Sequence, residues 1–265
     1  AYYTQYPDDD RAVHAHYYDA WAHYRMGKWR DASAIFEGLA KTFPASRYAS
    51  EALFRAGDAL FNMTNRGGSQ DKDQSFLEAM AFYDKLVERY PRSSHVDDAL
   101  YNKAWCLINL ERTDDAIPIF QQIVTDHSNG TYGPRSQFTL GDYYYGLKEY
   151  DKARENYQTF LELFPADKLT SQDRALPRKA KTLLGHLGEI DAYNLYSAGE
   201  KLFDEKNYDE AFKWATLSAK QGNPDSQNSL GLLYRRGNGT KKDYVKALNW
   251  FTLAAEQFQL YALYN

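Results

Sequence analysis

Cysteine is almost missing from this chain. Cys106 is the only one in 265 residues, so an intrachain disulfide and a cysteine-built metal cluster are both excluded. Breakers are scarce too, with 8 prolines and 16 glycines, too few for a disordered or collagen-like chain. No apolar run reaches the length that crosses a bilayer, so no direct membrane span is expected. An excess of basic charge is also lacking: 32 Lys and Arg face 36 Asp and Glu, a net of −4, which excludes a general nucleic-acid binder. The chain does not start with Met and no signal peptide opens at Ala1, so a soluble piece of a longer protein is expected. Aromatics, in contrast, are plentiful at 16%, including 23 Tyr, the composition of a packed and mostly regular fold.

The chain repeats itself. YYTQYP (Tyr2–Pro7), LAKTFP (Leu39–Pro44), LVERYP (Leu86–Pro91), IVTDHS (Ile123–Ser128) and FLELFP (Phe160–Pro165) share one form, a helix end closing on aromatic–Pro or its equivalent. Their spacings are 37, 47, 37 and 37, and the long unit carries a ten-residue insertion near Thr64–Asp73. Small residues fall in register: Ala20, Gly57, Ala104 and Gly141 on first helices, and Ala32, Ala79, Ala116 and Ala153 on second helices. Each of the latter precedes an aromatic by four residues: Phe36, Tyr83, Phe120 and Tyr157. Small residues let antiparallel helices approach, and a ring one turn on fills the groove between them. Short connections such as Gly27–Trp29 and Leu147–Tyr150 force helical hairpins.

At these residues the chain resembles the tetratricopeptide repeat, over 1–165 with a partial first hairpin. FPASRYASEAL (Phe43–Leu53) and YPRSSHVDDAL (Tyr90–Leu100) resemble the bacterial subgroup of outer-membrane-assembly and Tol–Pal-associated proteins. The resemblance implies a right-handed all-α solenoid and a bacterial periplasmic or outer-membrane-associated setting, with the cytoplasm left open. Pro134 is expected in the first turn of a helix, and Pro118 should cost a hydrogen bond or bend its helix. The register breaks after Pro165, and 166–191 reads as a junction of linker and basic helix.

From Ala192 to Asn265 a second repeat type takes over. Asn207–Gly222 superimposes on Asp243–Phe258 at a period of 36, pairing Tyr208 with Tyr244, Ala211 with Ala247 and Trp214 with Trp250. With LGLLYRRGNG (Leu230–Gly239) this resembles the Sel-like repeat, another helical hairpin. The glycine-rich segment invites a phosphate-loop reading, but the spacing GxxxxGK[ST] and a preceding strand are both missing. Gly237 and Gly239 fit a turn that takes positive φ between helices. Arg235, Arg236, Lys241 and Lys242 make it basic enough for an acidic partner, although a solvated turn is the stronger reading.

Signs of catalysis are lacking. His14, His16 and His23 share a helix without an i, i+4 pair, so no metal site is expected. Asp8–Asp10, Asp97–Asp98 and Asp114–Asp115 sit where helices start and suit the helix dipole. Cys106 reads as a small core filler. Asn62, Asn129 and Asn238 open sequons without informative context. No cofactor is expected.

Solenoids bind along the concave face lined by their first helices. The register places Tyr17, Trp21, Tyr24 and Arg25 there, then Phe54, Asp58, Phe61 and Asn62. Tyr101, Trp105 and Asn109 follow, then Arg135, Phe138, Asp142 and Tyr145, with Tyr193, Tyr196, Glu200 and Phe203 beyond the junction. Tyr144 is assigned to the buried side. An aromatic groove with scattered charge suits a peptide or protein domain, and thus a non-catalytic scaffold or adaptor. The rivals are a self-assembling structural protein, a recruitment module of a larger enzyme, and glycan binding as in exopolysaccharide export. Ala1–Pro7 resembles the end of a preceding helix and Phe258–Asn265 the start of another, so further repeats, or self-association through apolar ends, are expected.

Overall fold

A computed structural model describes residues 10–67, 71–128 and 130–264. The expectations for Ala1–Pro7, the Asp8–Asp10 caps, Asn129 and the apolar side chains of 258–265 fall outside what is described. Among the described residues the fold is all-α and divides into two compact units, Ala1–Leu176 and Pro177–Asn265.

The first unit holds four hairpins. They are α1 (Asp10–Arg25) with α2 (Trp29–Thr42), α3 (Ala49–Asn65) with α4 (Lys72–Arg89), α5 (Val96–Asn109) with α6 (Thr113–Asp126), and α7 (Gly133–Gly146) with α8 (Tyr150–Leu163). Each helix packs on the next in sequence. The small residues in register are buried as their spacing demands: Ala20, Ala32, Ala79, Ala104, Ala116 and Ala153 are all 0% exposed. The four rings one turn on are sealed between them, with Phe36, Tyr83, Phe120 and Tyr157 at most 1% exposed. Truncating a ring so placed costs roughly 3–5 kcal/mol. Pro134 lies in the first turn of α7, and α6 runs unbroken through Pro118.

The four hairpins follow two packing solutions in alternation. In the first and third, Ala20 and Ala104 are followed by Trp21 and Trp105, whose rings meet Phe36 and Phe120 edge-on at 6.0 and 6.4 Å. In the second and fourth, Gly57 and Gly141 are followed by Asp58 and Asp142, and the enclosed ring is a tyrosine. There the ring slides over the glycine: a Cβ on Gly57 would lie 2.6 Å from Tyr83, and one on Gly141 would lie 2.5 Å from Tyr157. The closer approach brings the Tyr157 hydroxyl to Asp142, to which it donates at 2.6 Å.

One turn geometry closes three of these hairpins. Gly27, Glu111 and Lys148 take left-handed φ of 74°, 60° and 61°. The next amide then bonds five residues back, as in Lys28 to the His23 carbonyl and Arg112 to the Leu107 carbonyl. Only the first of the three uses the residue that adopts this conformation freely.

Past α8 lie a 3₁₀ turn (Ala166–Lys168) and the second unit. It comprises α9 (Leu176–Asp204), α10 (Tyr208–Lys220), α11 (Pro224–Arg236) and α12 (Tyr244–Tyr264). The junction helix and the first helix of the second repeat type, divided at Ala192 in the sequence reading, lie on one helix, α9, of 29 residues, whose interior contains no proline after Pro177. Likewise α12 carries on through Phe258 to Tyr264, since nothing between them breaks a helix. Lys206 repeats the left-handed turn between α9 and α10 with φ 61°. Two buried hydroxyls lace the helices together. Ser226 donates to Ser218 at 2.6 Å and Ser218 to the Ala192 carbonyl at 2.5 Å.

The glycine-rich stretch is a turn. Gly237 caps α11 with φ 78°, its N–H bonded to the Leu233 carbonyl at 2.8 Å. Gly239, at φ 65°, lies against the start of α10, where a Cβ would run into the Tyr208 carbonyl oxygen. Asp243 then receives the Lys246 amide at 3.0 Å and starts α12.

Candidate functional site

In the first unit the residues expected on the first helices separate into three groups. The first is structural. Tyr17 stacks on Tyr48 at 4.5 Å, Phe54 on His95 at 5.4 Å and Tyr101 on Tyr132 at 4.2 Å. In each case the second ring sits just ahead of the next hairpin's first helix, so these pairs clamp one hairpin to the next, each worth about 0.5–1.5 kcal/mol beyond its burial. Phe54 and Phe138 are therefore corrected from groove to core, at 7% exposure each. Phe138 packs against Tyr157 and Phe160 because its register position turns inward between α7 and α8. The sequence contained a signal for the clamp that spacing on the helices alone did not use: Tyr48, His95 and Tyr132 recur at the repeat interval.

A second group is tied up in ion pairs and hydrogen bonds. Arg135, expected to meet a partner, donates from Nε to Asp173 Oδ1 and from Nη2 to Gln172 Oε1, both at 2.6 Å. Asp173 is 2% exposed and also accepts from Thr170 Oγ1 at 2.6 Å, so Arg135 neutralises a buried carboxylate. Asp142 is held by Tyr157. Tyr144 is half-buried, with the Lys152 ammonium 5.1 Å over its ring.

The third group forms a face across α1 and α3. Tyr24 donates to Asp58 Oδ2 at 2.7 Å and accepts from Asn62 Nδ2 at 2.9 Å, while Asn62 also reaches Asp58 Oδ1 at 3.0 Å. The Arg55 guanidinium lies 4.8 Å over Trp21, with Glu51 at 3.5 Å and Asp58 at 3.6 Å. Tyr17 donates to Glu51 at 3.0 Å. Burial and the Asp58 carboxylate drive the Tyr24 hydroxyl far above the ordinary phenol range, so it stays a hydrogen-bond donor. Glu51 and Arg55 were not expected here, although their spacing to each other and to Asp58 puts all three on one helix face. Arg25 is exposed beside this face. Further along, Trp105 is half-buried, Asn109 is exposed with its amide on the Trp105 carbonyl, and Tyr145 meets Tyr150 edge-on at 6.0 Å.

Groups suited to chemistry are quiet. Burial pushes the Cys106 thiol up to about 12, which leaves it unreactive. His23 sits 3.4 Å from Asp19, and His127 is 2.8 Å from Asp97, joining the end of α6 to the start of α5. Among the described residues no three His, Cys, Asp or Glu converge as a metal site would need, and no helix is long and apolar enough to cross a membrane.

In the second unit Tyr193 is 62% exposed, whereas Tyr196, Glu200 and Phe203 line an open pocket of about 100 Å³ between α9, α10 and α11.

Comparison with known proteins finds both repeat types in this chain. Tetratricopeptide repeat models match residues 19–94, 98–130 and 134–167, and the Sel1 repeat model matches 186–223 and 224–257. The ERAD-associated E3 ubiquitin-protein ligase component HRD3B of Arabidopsis thaliana is 31% identical over 121 residues, 45% of this chain and 19% of that protein. The chitin synthase regulator SKT5 of Saccharomyces cerevisiae is 37% identical over 60 residues, 23% of this chain and 9% of that protein. The chain thus spans less than a fifth of either curated relative. Among solved structures, MamA 41-end from Desulfovibrio magneticus RS-1 aligns over 95% of this chain and 97% of its own, at 16% identity and a TM-score of 0.44.

Proposed function

We propose that this chain, built of tetratricopeptide repeats over 19–167 and Sel1 repeats over 186–257, is a non-catalytic adaptor that holds a peptide or domain of another protein on the first-helix face of its tetratricopeptide unit. The arrangement of Trp21, Tyr24, Arg55, Asp58 and Asn62 carries this reading. Its rings and polar groups are locked by mutual hydrogen bonds before any partner arrives, so little side-chain entropy is left to lose on binding. Half-exposed aromatics beside amide and guanidinium groups are the usual anchors of protein interfaces. HRD3B is by name a component of a ligase and SKT5 a regulator of a synthase, descriptions of proteins that act through others. The bacterial-envelope setting rests on FPASRYASEAL and YPRSSHVDDAL, and fractionation of the source cells tests it.

The test is a photo-crosslinking probe at Asn109, exposed on the same helix series, in cells of the source organism, with adducts identified by mass spectrometry. A discrete protein adduct that disappears with Trp21→Ala, while the melting curve shows that variant folded, supports the adaptor. Equal adducts from a probe at exposed Glu88 on α4 would overturn the first-helix face as the site.

Self-association is a second reading, favoured by α12. Tyr244, Val245 and Leu248 are 66%, 71% and 65% exposed there. One repeat earlier Phe212, the counterpart of Leu248, is covered by Tyr234 of the next hairpin at 5.3 Å. Sedimentation should show concentration-dependent mass that Leu248→Glu removes.

A further inference from the structure

The pocket of the second unit exists because its floor is made of small residues. Gly199 on α9 and Ala211 and Ala215 on α10 leave a hollow, with Phe203 on one wall and Leu232 and Leu233 on the other. The volume of about 100 Å³ matches one aliphatic side chain. A polar rim surrounds these apolar walls: Tyr196 and Glu200, which hydrogen-bond each other, then Ser229, and Arg236 at the end of α11.

Within the lining Glu200 and Arg236 balance in charge, and the excess of positive charge comes from the turn that follows α11. Arg236 adjoins Arg235 and the turn in which the Lys242 side chain runs alongside Gly237. Among the described residues no carboxylate pairs with Arg235, Arg236, Lys241 or Lys242, while nearby Asp243 is engaged by Lys246 at 3.4 Å. Glu200, the single acid of the lining, already accepts from Tyr196. An apolar hole beside unpaired cations complements a ligand that presents a hydrocarbon group next to a negative one.

We propose that this pocket takes one leucine-sized aliphatic side chain of an extended peptide from a protein partner, while an Asp or Glu side chain of the same peptide pairs with Arg236. This rests on the adaptor reading and adds to it a second site, in the Sel1 unit, for a short acidic–aliphatic segment of the partner. The hydrocarbon supplies most of the affinity, since about 25 cal/mol is gained per Å² of apolar surface buried. The carboxylate fixes the direction of the peptide and hastens its encounter.

The experiment pans a phage-displayed library of short random peptides against the full chain. The best enriched peptide is then labelled with fluorescein and titrated by anisotropy. Enriched sequences should place Leu, Ile or Val beside Asp or Glu. Ser229→Phe, which fills the pocket, and Arg236→Glu, which reverses its charge, should each weaken binding about tenfold or more. Lys220→Glu, an equal charge change on α10, should stay within about twofold. Arg236 is exposed, so its variant tests the proposal even if Ser229→Phe disturbs the fold. Peptides that keep full affinity for both pocket variants but lose it with Trp21→Ala would sink the pocket and leave the adaptor reading standing. No enrichment of any peptide would overturn the pocket, while the crosslinking test decides the adaptor reading on its own.

Discussion

Gly239 meets two independent demands, one on backbone and one on space. Its φ of 65° would cost a substituted residue about 1–3 kcal/mol, and a Cβ would in addition strike the Tyr208 carbonyl oxygen. Gly237 shares the first demand, but its nearest neighbour is the flexible Lys242 side chain at 2.9 Å. Gly239→Ala should therefore lower the stability of the second unit by more than Gly237→Ala does, as read from urea unfolding. His16 offers a pH test at the same scale. Burial holds its imidazole below the ordinary 6.5, with Asp19 pulling weakly the other way, and its ring sits 6.4 Å from Phe43. The unfolded chain takes up that proton more readily, so stability is lost as pH falls through the ordinary histidine range and below. His16→Gln should flatten the fall in urea midpoint between about pH 7.5 and about pH 5.5. An unchanged slope would show that His16 is not the group responsible.

At the scale of the element, the alternation of packing solutions predicts coupled substitutions. Gly141→Ala alone forces the Tyr157 ring off a contact that leaves no room for a methyl group, and should cost about 1–3 kcal/mol. Tyr157→Phe alone loses the bond to Asp142, worth about 1.5–3 kcal/mol to a charged acceptor. The pair together reproduces the Ala–Phe combination of the first and third hairpins, so the double variant should be more stable than the sum of the singles. A double-mutant cycle in guanidinium measures that coupling. The turn between α7 and α8 gives a gain instead. Lys148→Gly relieves a side chain at φ 61° and should raise stability by up to about 1 kcal/mol in the same assay. The small-residue register and the aromatics four residues on were legible because helix contact demands them at fixed spacing. The clamps Tyr17–Tyr48, Phe54–His95 and Tyr101–Tyr132 were not, because each joins a helix to a residue between helices. Glu111, Lys148 and Lys206 concealed the left-handed backbone of their turns because glycine is the residue that marks it. Arg135 looked free because its partner, Asp173, lies 38 residues away in a stretch that reads as linker. The hollow beside Leu232 was not legible because its floor of Gly199, Ala211 and Ala215 is shared between two helices.

At the scale of the molecule, each of the two units has its own core. In the second, Leu230 is 1% exposed and packs with Ala215, Ala219 and Leu233. Leu230→Ala should cost about 2–5 kcal/mol. In hydrogen exchange, amide protection should fall across 177–265 more than across 10–167, as expected where stability is a sum of local units. The ring clamps also constrain how such a chain can be shortened or lengthened. Passing from a Trp-type hairpin to an Asp-type one sets tyrosine on tyrosine; passing back sets phenylalanine on histidine. Splicing out α3 and α4 alone would bring Tyr17 against His95, a pairing that none of the three joints between these hairpins uses. Splicing out α3 through α6 would bring Tyr17 against Tyr132 and restore a native joint. The module that can be cut, copied or grafted without a misfit is therefore a pair of hairpins, not one.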